Sequence, residues 1–155
     1  MFICLFVVFV YFNMTKSMRD AFGEAMLELG KINPKVLALT ADLGPSVRLS
    51  GFAQAFPARY FNTGVAEANM IGMATGMALE GFIPFCASFA VFVPGRCFDQ
   101  IRVSVCQNKA NVKLVGSHCG FSNNGDGSSA QSVEDIALMR ALPEMTVICP
   151  ADGLE

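Results

Sequence analysis

Apolar residues change their spacing several times along the 155-residue chain, and each change marks an element. Met18, Ala21, Phe22, Ala25, Met26 and Leu29 recur at the spacing of one helix face, with Ser17 and Asp20 placed as a capping pair and Gly30 where such a helix would end. A short apolar run over 36–39, bounded by Asn33-Pro34 and by Asp42-Leu43-Gly44-Pro45, predicts a buried strand that opens into a loop. A weaker helix over 50–56, a strand over 60–62 and a long helix over 66–80, closed by Gly81, follow. Further strands are predicted over 83–86, 112–115 and 146–149, with helices over 93–106 and 132–142, the last capped by Ser132 with Asp135 three residues on.

Strands and helices therefore alternate, with short linkers and no hairpin dipeptide. That order predicts an α/β fold, a doubly wound, mostly parallel sheet with helices on both faces, whose ligands sit beyond the carboxyl ends of the strands. Residues 15–155 form one domain in this reading, and the end at Glu155, directly after a strand, is where such a domain is expected to continue. Residues 1–14 stand apart as an apolar extension. They are shorter than the roughly 20 residues a bilayer span needs, and they lack a basic start and a small-residue cleavage site. The extension is read as an early start, with Met14 the true beginning, rather than as an anchor.

Composition narrows the function classes. With 53% hydrophobic and 15% charged residues the chain suits a compact domain and excludes disorder and coiled coil. Eleven Lys and Arg against thirteen Asp and Glu give a net charge of -2, with no long run of like charge, so no nucleic acid or membrane partner is expected. Cys4, Cys86, Cys97, Cys106, Cys119 and Cys149 contain no C-x-x-C pair and read as buried thiols of a reducing, cytoplasmic compartment. A histidine-based metal site or a Ser-His-Asp triad would have to be built on His118 alone, and no G-x-S-x-G supports it, so no metal ligand is assigned.

Chemistry concentrates at a few positions. Glu67 opens a helix that otherwise reads Ala, Met, Ile and Gly; it either complements the helix dipole at the surface or, if buried, becomes a carboxyl useful for proton exchange. Met70, Met73 and Met77 share one side of that helix and read as core, while Ala68, Gly72 and Gly76 permit close approach, within the domain or across a subunit interface. Phe82, Phe85, Phe89 and Phe92 read as core by default, but Phe89 and Phe92 fall past the predicted strand end, where they could wall a flat heterocycle. The polar, glycine-rich loop from Gly116 to Gln131 carries His118 and Gly125-Asp126-Gly127. No Asn follows Asn124, so this Gly-Asp-Gly is not the metal-binding motif of thiamine-diphosphate enzymes; it is either a turn with a substrate-facing acid or a plain exposed turn.

Six segments together carry a resemblance: Leu39-Thr40-Ala41-Asp42-Leu43, the run Tyr60 to Met70 around Glu67, Phe98-Asp99-Gln100-Ile101-Arg102, Gly116-Ser117-His118, Gly125-Asp126-Gly127 and Pro150-Ala151-Asp152. From Ser17 to the end the chain resembles the pyrimidine-binding domain of transketolases, above all the C-terminal subunit of bacterial enzymes split into two polypeptides. The resemblance implies transfer of a two-carbon ketol unit between sugar phosphates. It makes Glu67 the carboxyl that shares a proton with the aminopyrimidine of thiamine diphosphate and so activates the cofactor. It also implies cofactor contacts at Phe89, Phe92, Val65 and Asp42, and sugar-phosphate contacts at His118, Asp126, Ser46 and Arg19. Mg²⁺ and the diphosphate are expected on a partner chain, in a homo- or hetero-oligomer, and the chain alone is expected to be inactive. Two departures stand out: Ala130 replaces the histidine that transketolases usually carry after the loop aspartate, and Gly95 stands where an aromatic would complete the pyrimidine pocket. The alternatives are an inactive, truncated module of the same fold, or a subunit of the deoxyxylulose phosphate synthase or 2-oxo acid dehydrogenase E1 β type.

Overall fold

The structure is a computed structural model that describes residues 4–6 and 16–155. Among the described residues six strands form one sheet: β1 (Cys4–Phe6), β2 (Val36–Thr40), β3 (Tyr60–Asn62), β4 (Ile83–Phe89), β5 (Lys113–Ser117) and β6 (Val147–Ile148). Their order across the sheet is β3-β2-β4-β5-β1-β6, and every pairing is parallel. The parallel α/β architecture predicted from the alternation of elements is the one observed.

Alternate residues of the strands build a core on each face of the sheet. Leu37, Leu39, Cys86 and Leu114 pack with Met70, Ile71 and Ala74 of α3 (Glu67–Leu79) and with Met139 of α5 (Asp135–Arg140). Val36, Ala38, Ala87 and Val115 pack on the opposite face with Met18 and Met26 of α1 (Met18–Ile32) and Phe52 of α2 (Ser50–Ala55). All five residues of β2 are buried, as expected of a strand covered on both sides. Met70 lies fully in the core and Met73 and Met77 pack against it.

Several element boundaries differ from the sequence expectation for local reasons. The Ser17 cap forms as read, accepting from the Asp20 amide at 3.2 Å and donating to its carboxylate at 2.6 Å. The helix does not stop at Gly30 but runs to Ile32. Gly30 is buried inside it, because a Cβ there would overlap the Phe56 ring and lie 2.8 Å from Phe52 Cε2. Arg59 then serves the end of α1, donating to the carbonyls of Gly30 at 2.7 Å and Asn33 at 3.0 Å while lying over Phe56. β4 continues to Phe89, so this ring stands on the last strand residue rather than beyond it.

The segment expected as one helix over 93–106 is two π-helical stretches, Val91–Arg96 and Ile101–Cys106, flanking a short α4 (Phe98–Gln100). Pro94, without an N–H, lies inside the first stretch. α5 begins at Asp135 without a capping side chain, because the Ser132 backbone pairs with Gly120 instead, Gly120 N–H donating at 2.6 Å. Phe82 is 41% exposed rather than core. Cys149 is exposed, whereas Cys86, Cys97, Cys106 and Cys119 are buried as expected.

Cys4–Phe6 belong to the stretch set apart on sequence grounds, yet they pair with both β5 and β6. The proposed start at Met14 lies outside the described residues. Among the described residues no helix is long and apolar enough to cross a membrane.

Gly72 and Gly76 are exposed and a Cβ at either would meet nothing within 4 Å, so no close approach inside the domain requires them; Ala68 packs against the core instead. Two substitutions should therefore diverge in urea unfolding. Gly30→Ala is expected to cost about 1–3 kcal/mol through overpacking, whereas Gly72→Ala in an open helix interior should stabilise by about 0.5–1 kcal/mol.

Candidate active site at the carboxyl edge of the sheet

The loops that leave β2, β3, β4 and β5 at their carboxyl ends gather the polar and aromatic residues singled out above. Asn62, the last residue of β3, sets the first of these loops. Its side-chain oxygen accepts from the amides of Asp42 at 2.9 Å and Gly64 at 3.1 Å, and its amide donates to the Asp42 carboxylate at 3.2 Å. Gly64 has φ +67°, and the Thr63 amide donates to the Thr40 carbonyl at 3.0 Å. The turn so fixed delivers Glu67 as the first residue of α3, with Ala66 at the N-cap contributing no capping side chain.

Glu67 is only 2% exposed. Burial of a carboxylate is unfavourable without a partner, and the partner is Arg96, whose Nη1 donates to Glu67 Oε2 at 2.8 Å. The Arg96 side chain is itself half exposed, and its guanidinium lies over the Phe92 ring, 4.6 Å from the centroid. Phe92 in turn stacks on Phe89, with centroids 5.9 Å apart and planes 16° from parallel. Beside this group the Cys97 thiol is pushed up to about 12, first by burial and then by the Glu67 charge.

A second cluster adjoins the far side of Phe89, whose ring centroid lies 4.2 Å from that of His118. His118 follows β5 directly in a left-handed conformation, φ 59°. Its Nε2 lies 3.2 Å from Arg19 Nη1 and its Nδ1 2.8 Å from Ser117 Oγ. A guanidinium can only donate, so Nε2 is assigned as acceptor and the proton to Nδ1, where it donates to Ser117. The same Arg19 nitrogen donates to the Ser46 carbonyl at 3.2 Å. Burial first, and then the Arg19 charge, bring the His118 pKa down to about 4, with Asp126 acting in the opposite sense.

Glu67, Phe92, Phe89, His118, Arg19 and Ser46 thus form a continuous series of contacts across the sheet edge, with Arg96 bridging its first two members. The other sequence candidates stand differently. Val65 is 73% exposed, and Asp42 is exposed, with φ 61° and its polar contacts to Asn62. Asp126 sits exposed in its turn, and its charge acts on His118. Ala130 is buried in a short 3₁₀ turn, and Gly95 is exposed, with nothing within 4 Å of where a Cβ would stand. Arg96 and Ser117 were missed from the sequence. A signal for Arg96 was available: a buried acid needs a cation, and Arg96 is the basic residue in the apolar stretch that follows β4. Among the described residues no group of three or more His, Cys, Asp or Glu is placed to hold a metal ion.

A buried acid at the head of a helix, joined through Arg96 to an aromatic pair, and an Arg–His cluster stand at the carboxyl edge of a parallel sheet, where ligands of such α/β domains sit. Comparison with known proteins says which kind. Residues 14–155 match the transketolase pyrimidine-binding domain, and the chain belongs to that family. It is 50% identical over 137 residues to a putative transketolase C-terminal section of Methanocaldococcus jannaschii, the match covering 88% of this chain and 43% of that protein. It is 41% identical over 138 residues to a 6-deoxy-6-sulfo-D-fructose transketolase subunit of Clostridium sp., covering 89% of this chain and 43% of that one. A solved structure described as a split gene transketolase, inactive beta4 tetramer, superposes with TM-score 0.76 at 49% identity over 88% of this chain and 44% of its own. The chain spans less than half the length of these relatives. All three are transketolases by description, which favours that branch over the synthase and E1 β alternatives.

The neutral His118 has a consequence for stability. Between its ordinary value of 6.5 and about 4, the unfolded chain takes up a proton at this residue that the folded chain does not. The stability is therefore present above pH 6.5 and lost as the pH falls toward 4. Thermal unfolding of wild type and His118→Asn from pH 7 to 4.5 should give a shallower acid decline in the variant.

Proposed function

We propose that this chain supplies the pyrimidine side of a thiamine-diphosphate site that a diphosphate-binding chain completes, and that the assembled enzyme transfers a two-carbon ketol unit between sugar phosphates. The observation that carries the reading is Glu67, a carboxyl 2% exposed at the start of a helix and adjoined, through Arg96, by stacked aromatic rings. The residues fit the cofactor. Phe89 and Phe92 offer a flat apolar wall to an aminopyrimidine, Val65 an exposed apolar contact, and Asp42 an acid on the neighbouring loop. Thiamine diphosphate, when bound, supplies the carbanion chemistry that no amino-acid side chain provides.

The protein's part is proton management and positioning. Glu67 holds a proton at a ring nitrogen of the aminopyrimidine, and its burial keeps water from competing for that contact. Arg19 and neutral His118 face the sugar phosphate together with Ser46 and Asp126: Arg19 supplies the cation for an anionic group, and the His118 ring, held by Ser117, is an uncharged partner for hydroxyls. Because Phe89 touches both Phe92 and His118, the cofactor side and the sugar side share one wall. Ala130 leaves the polar loop after β5 one polar group short of the family pattern. A missing partner for a sugar hydroxyl costs about 1–3 kcal/mol of transition-state binding, so the preferred sugar is one that makes no demand at that point.

We assign Mg²⁺ and the diphosphate to the partner polypeptide and place the assembled oligomer in the cytoplasm, among the enzymes of pentose phosphate interconversion. The split architecture of the relatives supports a partner, and the relative described as an inactive tetramer of β chains supports the expectation that this polypeptide alone does not turn over. The exposed face of α3 that carries Gly72 and Gly76 is suited to close approach by another chain.

The test is reconstitution. The chain mixed with its diphosphate-binding polypeptide, thiamine diphosphate and Mg²⁺ should transfer ketol units from xylulose 5-phosphate to ribose 5-phosphate, with no activity from either polypeptide alone. Glu67→Gln should lower kcat about 10²–10⁴-fold, the span of a general acid–base group. Full activity in Glu67→Gln, or turnover of pyruvate in place of ketose phosphates, would contradict the assignment.

A further inference from the structure

We propose that Arg96 is a placeholder: in the cofactor-free subunit its guanidinium occupies the position between Glu67 and Phe92 that the aminopyrimidine takes, and it swings outward when the cofactor binds. The inference rests on reading the pocket as a pyrimidine site and adds a resident competitor to it. Three observations carry it. The guanidinium, a flat group edged with N–H donors, places Nη1 2.8 Å from the buried Glu67 Oε2. The same group lies over the Phe92 ring, 4.6 Å from its centroid, which is the contact a flat heterocycle would make. Finally, its side chain is 49% exposed, so solvent is open to it, while the carboxylate it serves is 2% exposed.

Charge explains why a placeholder is needed. A carboxylate as deeply buried as Glu67 is unfavourable without a cation, whereas a carboxyl that shares its proton with a ring nitrogen requires none. The two arrangements compete, since both call on the Glu67 carboxyl and the Phe92 face. The backbone allows the exchange: Arg96 ends the π-helical stretch Val91–Arg96, follows Pro94 and Gly95, and at Gly95 there is open space where a side chain would stand. A site closed by its own side chain binds with an affinity reduced by the fraction of time it is open. Arg96 thereby raises the cofactor concentration needed to fill the site and keeps Glu67 paired until then.

Calorimetric titration of thiamine diphosphate into the chain assembled with its diphosphate-binding polypeptide and Mg²⁺ tests this without recourse to activity. Arg96→Met, which keeps the apolar stem and removes the cation, should tighten the dissociation constant about 3- to 10-fold and lower the melting temperature of the cofactor-free chain. Arg96→Lys keeps the charge without the flat fork; it should fall between the two in affinity and serves if the Met variant does not fold. In the cofactor-free chain, melting-temperature changes of Arg96→Met and Glu67→Gln should be non-additive, the second substitution costing little once the first is present. Unchanged or weakened binding in both Arg96 variants, or full additivity in the cycle, would overturn the placeholder while leaving the pyrimidine site in place. A wild-type assembly that binds no thiamine diphosphate would overturn the reading on which it rests.

Discussion

The position of one buried carboxylate governs the rest of this site. Glu67 is held away from water at the first residue of α3, and a charge so placed obliges its surroundings to answer it. The answer comes from a different part of the chain, through Arg96 on the irregular segment after β4. Holding Glu67 there requires the turn that precedes it, fixed by Asn62 bonding to both Asp42 and Gly64, and requires β2 and β3 to lie side by side so that this turn can form. The parallel sheet is in this sense the support for a single oxygen atom, and the apolar residues of α3 behind Glu67 keep that support dry.

Phe89 joins the two halves of the edge. It is the last residue of β4, with Phe92 on one side and His118 on the other. Because β4 is an inner strand, paired with β2 and β5, this ring has little freedom to move relative to the sheet. His118 is fixed at the next strand by Ser117 and Arg19 and is uncharged at neutral pH. An anion drawn to Arg19 and a heterocycle laid against Phe92 would thus be placed at a defined separation by rigid elements rather than by loops alone, which is the condition for aligning two reactants.

Much of this was legible in the chain itself. The alternation of strands and helices and the lack of hairpin signals point to the parallel architecture, because both depend on local pattern. Glu67, Phe89 and His118 stand out from the residues themselves, Arg19 and Ser46 only through the resemblance, and all five lie at one edge of the sheet. What escaped was tertiary in origin. Gly30 reads as a helix stop until Phe52 and Phe56, far along the chain, are seen to fill the space beside it. Ser132 reads as a cap until its backbone is claimed by Gly120. The helix over 93–106 breaks into π turns around Pro94, and that irregularity brings Arg96 to Glu67. Cys4–Phe6 lie between β5 and β6, a place visible only once the strand order is known.

A crystal structure of the assembled complex with thiamine diphosphate and Mg²⁺ tests the central claim most directly. The account predicts the aminopyrimidine lying against Phe92 with a ring nitrogen within hydrogen-bond distance of the Glu67 carboxyl, and the Arg96 side chain turned to solvent. A cofactor bound elsewhere, with Glu67 still paired to Arg96, would contradict it.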